Sequence, residues 1–259
     1  TVSIGAIACG LNGWWKGSEA MKAIEDADPK LIVADQKRFD RISGEPTHPV
    51  LIFEEMDLAN QSEMIDSFIR LDEDECACLL YTSGTTGAPK GVMTSHRSMI
   101  ANSTLSMLQG AAVSQDSSSK GIDWAKHKPT SLLTSPLFHV SGLSAGVVTS
   151  LFAGSTTLLY AGKFSAHKIL ELIDKFNVTS WGGAVPTALK RVLDAANATN
   201  ISLPSVLVVG GGGAPMPPAL IERTKEVFPS SKYSFGYGYG LTESGAITII
   251  NWGENLNSN

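Results

Sequence analysis

The sequence predicts an α/β fold built from stacked, mostly parallel sheets with helices on both faces. Short apolar runs alternate with helix-forming stretches along the whole chain, which is typical of βαβ units. Motifs rich in Gly, Ser and Thr follow predicted strands, where ligands bind in parallel sheets. With 259 residues, 43% of them hydrophobic, the chain can bury a substantial core in one or two domains.

The first half of the chain alternates strands with helices. Apolar runs predict strands at Ser3–Cys9, Leu31–Ala34, Val50–Phe53 and Ala77–Leu80. Helices are expected at Ser18–Asp26, with Ser18 as N-cap, at Gln61–Arg70 and, as an amphipathic helix, at Arg97–Leu108. The acidic run Asp72–Glu75 predicts a solvated turn, and the Ser-rich stretch Ser114–Lys128 predicts an exposed loop.

The second half repeats this alternation. Strands are predicted at Ser131–Thr134, Thr156–Tyr160, Val178–Trp181 and Val206–Val209. Two helices are predicted at Leu143–Phe152 and Ala166–Phe176. Two more are marked by proline in the first turn, one at Pro186 and one at Pro217 and Pro218. Such regular alternation indicates a largely parallel sheet covered on both faces.

Composition excludes several classes of function. A net charge of −5 with 17% charged residues gives no basic field, so nucleic acid is not expected as a partner. Cys9, Cys76 and Cys78 form neither a disulfide framework nor a metal cluster, which fits a reducing compartment. The apolar stretch His139–Gly162 is broken by Ser, Thr and Gly, so no transmembrane segment is predicted. We therefore expect a soluble, cytoplasmic protein.

The most informative stretch is Tyr81–Arg97, a Ser/Thr/Gly loop that follows an apolar strand and precedes a helix. Such a loop can hold phosphate, because glycines let backbone N–H groups turn inward and hydroxyls add neutral donors. The candidate phosphate ligands are Thr82, Ser83, Gly84, Thr85, Thr86, Gly87 and Lys90. Lys90 would supply a point charge. The spacing differs from Walker A, which requires Gly-Lys-Ser/Thr.

Three later motifs follow predicted strands. His139 lies in Pro136–Leu143, although a lone histidine is more often a core or surface residue. The run Val209–Pro215 contains four glycines, which leave a surface on which a flat base can approach the backbone, although a plain turn has the same composition. In Gly238–Ser244, a tyrosine could stack on a base, a threonine could donate to phosphate and a glutamate could hold magnesium.

Together and in this order, these four motifs resemble those of the adenylate-forming superfamily, which includes acyl-CoA synthetases, luciferases and peptide-synthetase adenylation domains. The resemblance implies ATP and Mg²⁺ as cofactors, with coenzyme A as co-substrate. It places the phosphate loop on the β- and γ-phosphates and adenine against Gly212, Gly213, Ala214 and Pro215. Around the remaining nucleotide it places Gly238, Tyr239, Gly240 and Thr242. The catalytic residues it implies are Thr242 at the α-phosphate, Glu243 as the metal ligand and His139 beside the acid.

The same resemblance implies an AMP-forming acyl-CoA synthetase that activates a carboxylic acid, in the first place a fatty acid, or an aryl acid. Amino-acid-activating members carry aspartate at the position of His139, which argues against an amino acid. The segment Val178–Thr187 resembles the wall of an acyl tunnel, with Gly182 and Gly183 keeping its floor open. Alternatives are a carrier-protein adenylation domain, a luciferase-like member, or a nucleotide-binding remnant without turnover.

The resemblance covers almost the whole chain and implies part of a large N-terminal domain. Residues 1–75 would end a first subdomain, and residues 76–259 would carry the phosphate loop, acyl pocket and adenine site. The C-terminal domain that supplies the adenylation lysine has no counterpart in this sequence, so the chain alone is expected to be inactive. Neither the acid's chain length nor the oligomeric state is predicted.

Overall fold

The computed structural model describes residues 1–42, 44, 46–56, 69–82 and 89–253. The chain divides into two compact units, Thr1–Arg97 and Ser98–Asn259. The subdomain boundary that the resemblance implies at residue 75 stays a prediction. None of the helices within the described ranges combines the length and the apolar character needed to cross a membrane.

The first unit contains two small sheets. Its strands are β1 (Ala8–Gly10), β2 (Ile32–Ala34), β3 (Val50–Ile52), β4 (Cys76–Thr82) and β5 (Lys90–Ser95). Strand β1 pairs in parallel with β4, which pairs antiparallel with β5, while β2 and β3 form a separate parallel pair. Its helices are α1 (Gly17–Ala27) and α2 (Gln36–Phe39), with short 3-10 turns at Val2–Ile4 and Phe53–Glu55.

Two predictions at the start of the chain were wrong. Helix α1 begins at Gly17, so Ser18 lies inside it and is not the N-cap; the carboxylate of Glu19 instead accepts from the backbone N–H of Lys16 at 2.8 Å. Strand β1 begins only at Ala8, because the preceding residues form a 3-10 turn that ends at Gly5 with φ +75°. The helix predicted at Gln61–Arg70 falls mainly on residues outside the described ranges.

The second unit is built on one six-stranded sheet. Its strands are β6 (Thr130–Leu133), β7 (Thr156–Leu159), β8 (Ser180–Ala184), β9 (Val208–Gly212), β10 (Gly236–Leu241) and β11 (Ala246–Trp252). Their order is β11-β10-β9-β8-β6-β7, and all neighbours are parallel except the β10–β11 pair. This confirms the predicted α/β class with a mostly parallel sheet.

One long helix precedes these strands, and the other helices connect them. They are α3 (His96–Ser119), α4 (Val140–Gly142), α5 (Thr149–Phe152), α6 (Ala166–Lys175), α7 (Pro186–Ala198) and α8 (Pro218–Val227), with one π-helical segment, Leu143–Val148, between α4 and α5. Short 3-10 turns lie at Trp124–Lys126, Pro229–Ser231 and Thr242–Ser244. Pro186 is the first residue of α7 and Pro217 the N-cap of α8, as expected for a residue with fixed φ and no N–H.

Helix α3 differs from the prediction in two ways. It continues to Ser119, through a stretch predicted to be a loop. The Ser117 hydroxyl can be buried there because it donates to the Val113 carbonyl at 2.8 Å. The Trp124 indole N–H then donates to the same hydroxyl oxygen at 2.8 Å. The helix is also not amphipathic, since Asn102 is buried while Ile100 is exposed.

The core of the second unit lies between the sheet and helices α6, α7 and α8. Trp181 is fully buried and packs edge-on against Phe228 at 6.2 Å between ring centroids. It donates its indole N–H to the Thr134 hydroxyl at 3.1 Å. Ile173 of α6 and Leu189 of α7 are also fully buried in this cluster. These helices therefore cover one face of the sheet with a closely packed core.

We expect Phe228→Ala to lower the free energy of unfolding by about 3–5 kcal/mol, because it leaves a cavity beside Trp181. The matched control is Phe152→Ala in the same unit, since Phe152 is 53% exposed, and its loss should stay below about 1 kcal/mol. Urea unfolding monitored by circular dichroism measures both. Equal losses for the two variants would contradict this description of the core.

Candidate functional site

The carboxyl ends of four parallel strands meet at one edge of the large sheet, here called the carboxyl edge. Strand β6 leads to His139, β9 to Gly213 and the loop that follows it, and β10 to the turn Thr242–Ser244. Strand β8 ends between them at Ala184. The structure therefore brings the three predicted motifs of the second unit to the same edge, where ligands bind in parallel sheets.

Strands β9 and β10 approach each other closely because glycines face each other along them. Gly212 pairs with Gly238, and a Cβ added to Gly212 would lie only 2.8 Å from the Gly238 carbonyl oxygen. Gly213 then turns the chain with φ +78°, a conformation that favours glycine. These predicted residues thus form a strip of backbone without side chains.

The loop after β9 folds back toward the sheet. The Met216 methyl group lies 2.6 Å from the position that a Cβ on Gly211 would occupy. The Tyr237 hydroxyl donates to the Ala214 carbonyl at 2.6 Å. Ala214 and Pro215 themselves are exposed. Sequence reasoning missed Tyr237, although its position two residues before Tyr239 on one strand places both on the same face.

The end of β10 presents Tyr239 to solvent. Its side chain is 58% exposed, and its carbonyl accepts from the Thr248 hydroxyl at 3.0 Å. The pairing with β11 shifts register between Tyr239 and Gly240. A Cβ on Gly240 would lie 1.9 Å from the Ala246 carbonyl oxygen, so only glycine fits this irregularity.

The turn Thr242–Ser244 is fixed at both ends. The Leu241 N–H donates to the Ser244 hydroxyl oxygen at 3.2 Å, and Gly245 leaves the turn with φ +83°. Beneath it, the buried Asn102 amide nitrogen lies 3.8 Å from the Cβ position of Gly245. Thr242 is half-buried and Glu243 exposed, so the turn presents a hydroxyl and a carboxylate at the carboxyl edge.

His139 caps the helical segment that begins at Val140. Its Nδ1 accepts from the Ser141 backbone N–H at 3.2 Å and lies 2.8 Å from the Ser141 hydroxyl. An accepting Nδ1 places the proton of the neutral ring on Nε2. Desolvation by neighbouring protein atoms lowers the pKa of His139 below its ordinary value. The ring is therefore a neutral N–H donor near neutral pH.

The predicted phosphate loop falls in the first unit, between two antiparallel strands. Thr82 ends β4 and pairs with Lys90, which begins β5 and is exposed. The loop was predicted to precede a helix. Strand β5 instead follows it directly, and α3 begins only at His96. Ser83, Gly84, Thr85, Thr86 and Gly87 lie outside the described residues.

Strand β4 is anchored just before this loop. The Tyr81 hydroxyl donates to the Asp26 carboxylate at 2.6 Å and also lies 3.1 Å from the Ala23 carbonyl oxygen. Burial, with this carboxylate as a further cause, raises the pKa of Tyr81. The ring also meets Trp15 edge-on at 5.9 Å between centroids. These contacts fix the strand end from which the loop departs.

No group of three or more His, Cys, Asp or Glu residues suited to a metal ion occurs in the part of the chain that the structure describes. The three cysteines are free thiols. Burial raises the pKa of Cys9 and of Cys78 to about 11, so these thiols stay protonated.

Comparisons with known proteins agree over nearly the whole chain. The family model described as AMP-binding enzyme matches residues 1–259. The 4-coumarate–CoA ligase of Pinus taeda is 30% identical over 262 residues, which cover 95% of this chain and 46% of that protein. The chain spans about half the length, or slightly less, of the curated relatives it matches.

Solved structures give the same picture. The o-succinylbenzoate coenzyme A synthetase of Bacillus subtilis, in complex with ATP and magnesium ion, matches with a TM-score of 0.76 and 28% identity, over 98% of this chain and 48% of that one. The N-terminal domain of FACL13 from Mycobacterium tuberculosis matches with a TM-score of 0.78 and 26% identity, over 98% and 61%.

The His139 cap predicts a pH dependence of stability. Because the native pKa is lowered, stability is complete above the ordinary histidine pKa of about 6.5 and is lost as pH falls from there toward the native value. His139→Asn keeps an N-cap acceptor and should remove this part of the loss. Urea unfolding at about pH 7.5 and about pH 5.5 measures the difference.

The matched control is His167→Asn, which replaces an exposed histidine on α6. This variant should keep the wild-type pH dependence. The assignment of His139 as a cap fails if the two variants lose stability equally between the two pH values.

Proposed function

The chain belongs to the AMP-binding enzyme family, which confirms the resemblance seen in its motifs, and on that premise we propose that the complete protein is an acid–CoA ligase. By complete protein we mean the product of the whole reading frame that encodes this chain. The acid's carboxylate would attack the α-phosphate of ATP to give an acyl-adenylate and pyrophosphate. The CoA thiol would then displace AMP and form the thioester.

One observation carries this proposal. The strip of backbone formed by Gly212, Gly213 and Gly238 lies at the carboxyl edge, together with the Thr242–Ser244 turn and His139. A side-chain-free strip beside the exposed ring of Tyr239 suits a flat base. With the base placed there, the hydroxyl of Thr242 would donate a hydrogen bond to the α-phosphate. Such an arrangement promotes the reaction mainly by orienting ATP and acid and by stabilising charge.

Charge at the phosphates would be balanced by few groups. Lys90 would meet the terminal phosphates, together with the hydroxyl and backbone donors between Thr82 and Lys90. The exposed Glu243 carboxylate is a hard oxygen ligand that fits Mg²⁺. When bound, Mg²⁺ would neutralise phosphate charge.

The acid is proposed to border His139. A neutral Nε2–H donor can hydrogen-bond a carboxylate but cannot pair with the ammonium group of an amino acid, as an aspartate would. A Cβ added to Gly182 meets nothing within 4 Å, which leaves space near the carboxyl end of β8. We therefore propose an acid with an uncharged, largely apolar tail.

The tail is proposed to be aryl or fatty. Of the two similar ligases named above, the 4-coumarate–CoA ligase is named for an aryl acid that has a single carboxylate, so aryl acids deserve the same weight as the fatty acids that the motifs first suggested. CoA as acceptor follows the names of these relatives. A cytoplasmic location stays a prediction from the sequence.

The acid class can be tested by pyrophosphate release from the complete protein. We expect turnover with aryl acids such as 4-coumarate or with medium- and long-chain fatty acids, and none with α-amino acids. Among neighbouring fatty acids the preference should change gradually, since each buried methylene contributes about 0.8 kcal/mol. Turnover driven by amino acids alone would exclude the proposal, and acyl-adenylate without thioester would point to another acceptor.

Lys90→Ala should weaken ATP binding more than AMP binding, because the lysine is assigned to the terminal phosphates. The loss of a charged hydrogen bond is about 1.5–3 kcal/mol, and AMP affinity should change little. Calorimetric titration of the complete protein measures both. Lys37→Ala, which removes an exposed lysine of α2, serves as control and should change neither affinity. If Lys90→Ala weakens both nucleotides equally, the assignment is wrong.

A further inference from the structure

Two contacts hold the glycine loop, defined as residues 213–215, toward the sheet. One is the Met216 methyl group over Gly211, a contact that a flexible side chain can easily rearrange. The other is the hydrogen bond from the Tyr237 hydroxyl to the Ala214 carbonyl, 2.6 Å long. Only the second contact fixes a backbone atom of the loop directly.

The glycine loop needs such a tie because its own sequence leaves it free. Glycine loses more conformational entropy on ordering than any other residue. Ala214 and Pro215 are exposed and so gain little from burial. Tyr237, by contrast, lies in β10, which is paired on both sides, with β9 and β11. A bond from this strand transfers the strand's rigidity to the loop.

The hydrogen bond from Tyr237 to Ala214 also sets the distance between the glycine loop and the Tyr239 ring. Tyr237 and Tyr239 are two residues apart on one strand, so both side chains lie on the same face. The half-buried Tyr237 holds the loop, and the exposed Tyr239 ring lies two residues further along β10 toward the carboxyl edge. The space between loop and ring therefore depends on where the Tyr237 hydroxyl places the Ala214 carbonyl.

We infer that Tyr237 is a positioning residue for the nucleotide base, which it serves by holding the glycine loop at a fixed distance from the Tyr239 ring. This inference rests on the proposed function, since it takes the loop as the adenine site. Tyr237 would touch the loop and act on the base only through it. Its hydroxyl would thereby favour adenine over guanine, because a fixed backbone presents fixed donors and acceptors to the base edge.

The test compares Tyr237→Phe with Tyr160→Phe in the complete protein. Tyr160 follows β7 at the other end of the sheet and donates a hydrogen bond of the same length, 2.6 Å, to the Lys163 carbonyl. We expect Tyr237→Phe to weaken ATP, AMP and adenosine by the same factor of about three to ten, the size of one hydrogen bond. The preference for ATP over GTP should fall, and hydrogen exchange at the loop amides should rise.

Tyr160→Phe should leave the nucleotide affinities and the ATP preference unchanged, while melting temperatures show that both variants fold. If Tyr237→Phe resembles Tyr160→Phe in affinity and base preference, the tyrosine is only structural and the inference is overturned. If it weakens ATP but not adenosine, the tie acts on the phosphates and the inference is equally overturned. A wild-type protein that binds none of the three ligands would overturn the proposed function itself.

Discussion

The close approach of strands β9 and β10 is the constraint on which the candidate site depends. Gly212 and Gly238 stand so near that a Cβ on Gly212 would lie 2.8 Å from a backbone carbonyl oxygen. The same glycines that permit this approach leave the strip between β9 and β10 without side chains. A backbone strip without side chains has no packing contacts of its own to order it. The fully buried Trp181 of β8 and Val209 of β9 therefore have to hold these strands in place.

Much of this arrangement could be predicted from the sequence, because the spacing of apolar residues and the positions of proline and glycine are local signals. The runs at 131–134, 156–160 and 178–181 locate β6, β7 and β8 to within a few residues, and prolines mark the starts of α7 and α8. His139, the glycine run and the Thr242–Glu243 pair could be placed at one edge, since each follows a strand of a parallel sheet.

What could not be predicted depends on contacts between distant residues or on unusual local partners. The Ser-rich end of α3 has the composition of a loop. Its hydrogen bond from the Trp124 indole N–H to the Ser117 hydroxyl is not visible in the local sequence. Strand β5 was hidden in the motif read as a loop, because its pairing with β4 is not visible in either segment alone. Tyr237 carried no signal of its own, since its bond to Ala214 joins residues 23 apart in sequence.

The edge also explains how a chain of net charge −5 could bind a polyphosphate. In the second unit the edge offers hydroxyls, backbone and a neutral histidine, and Glu243 is itself acidic. Attraction for the phosphates at this edge would then come mainly from the cation that accompanies ATP. Since a metal-bound nucleotide brings its own counter-charge, the protein needs precise positions more than a strong field. That need is met by backbone held between packed strands, as at Gly212 and Gly238.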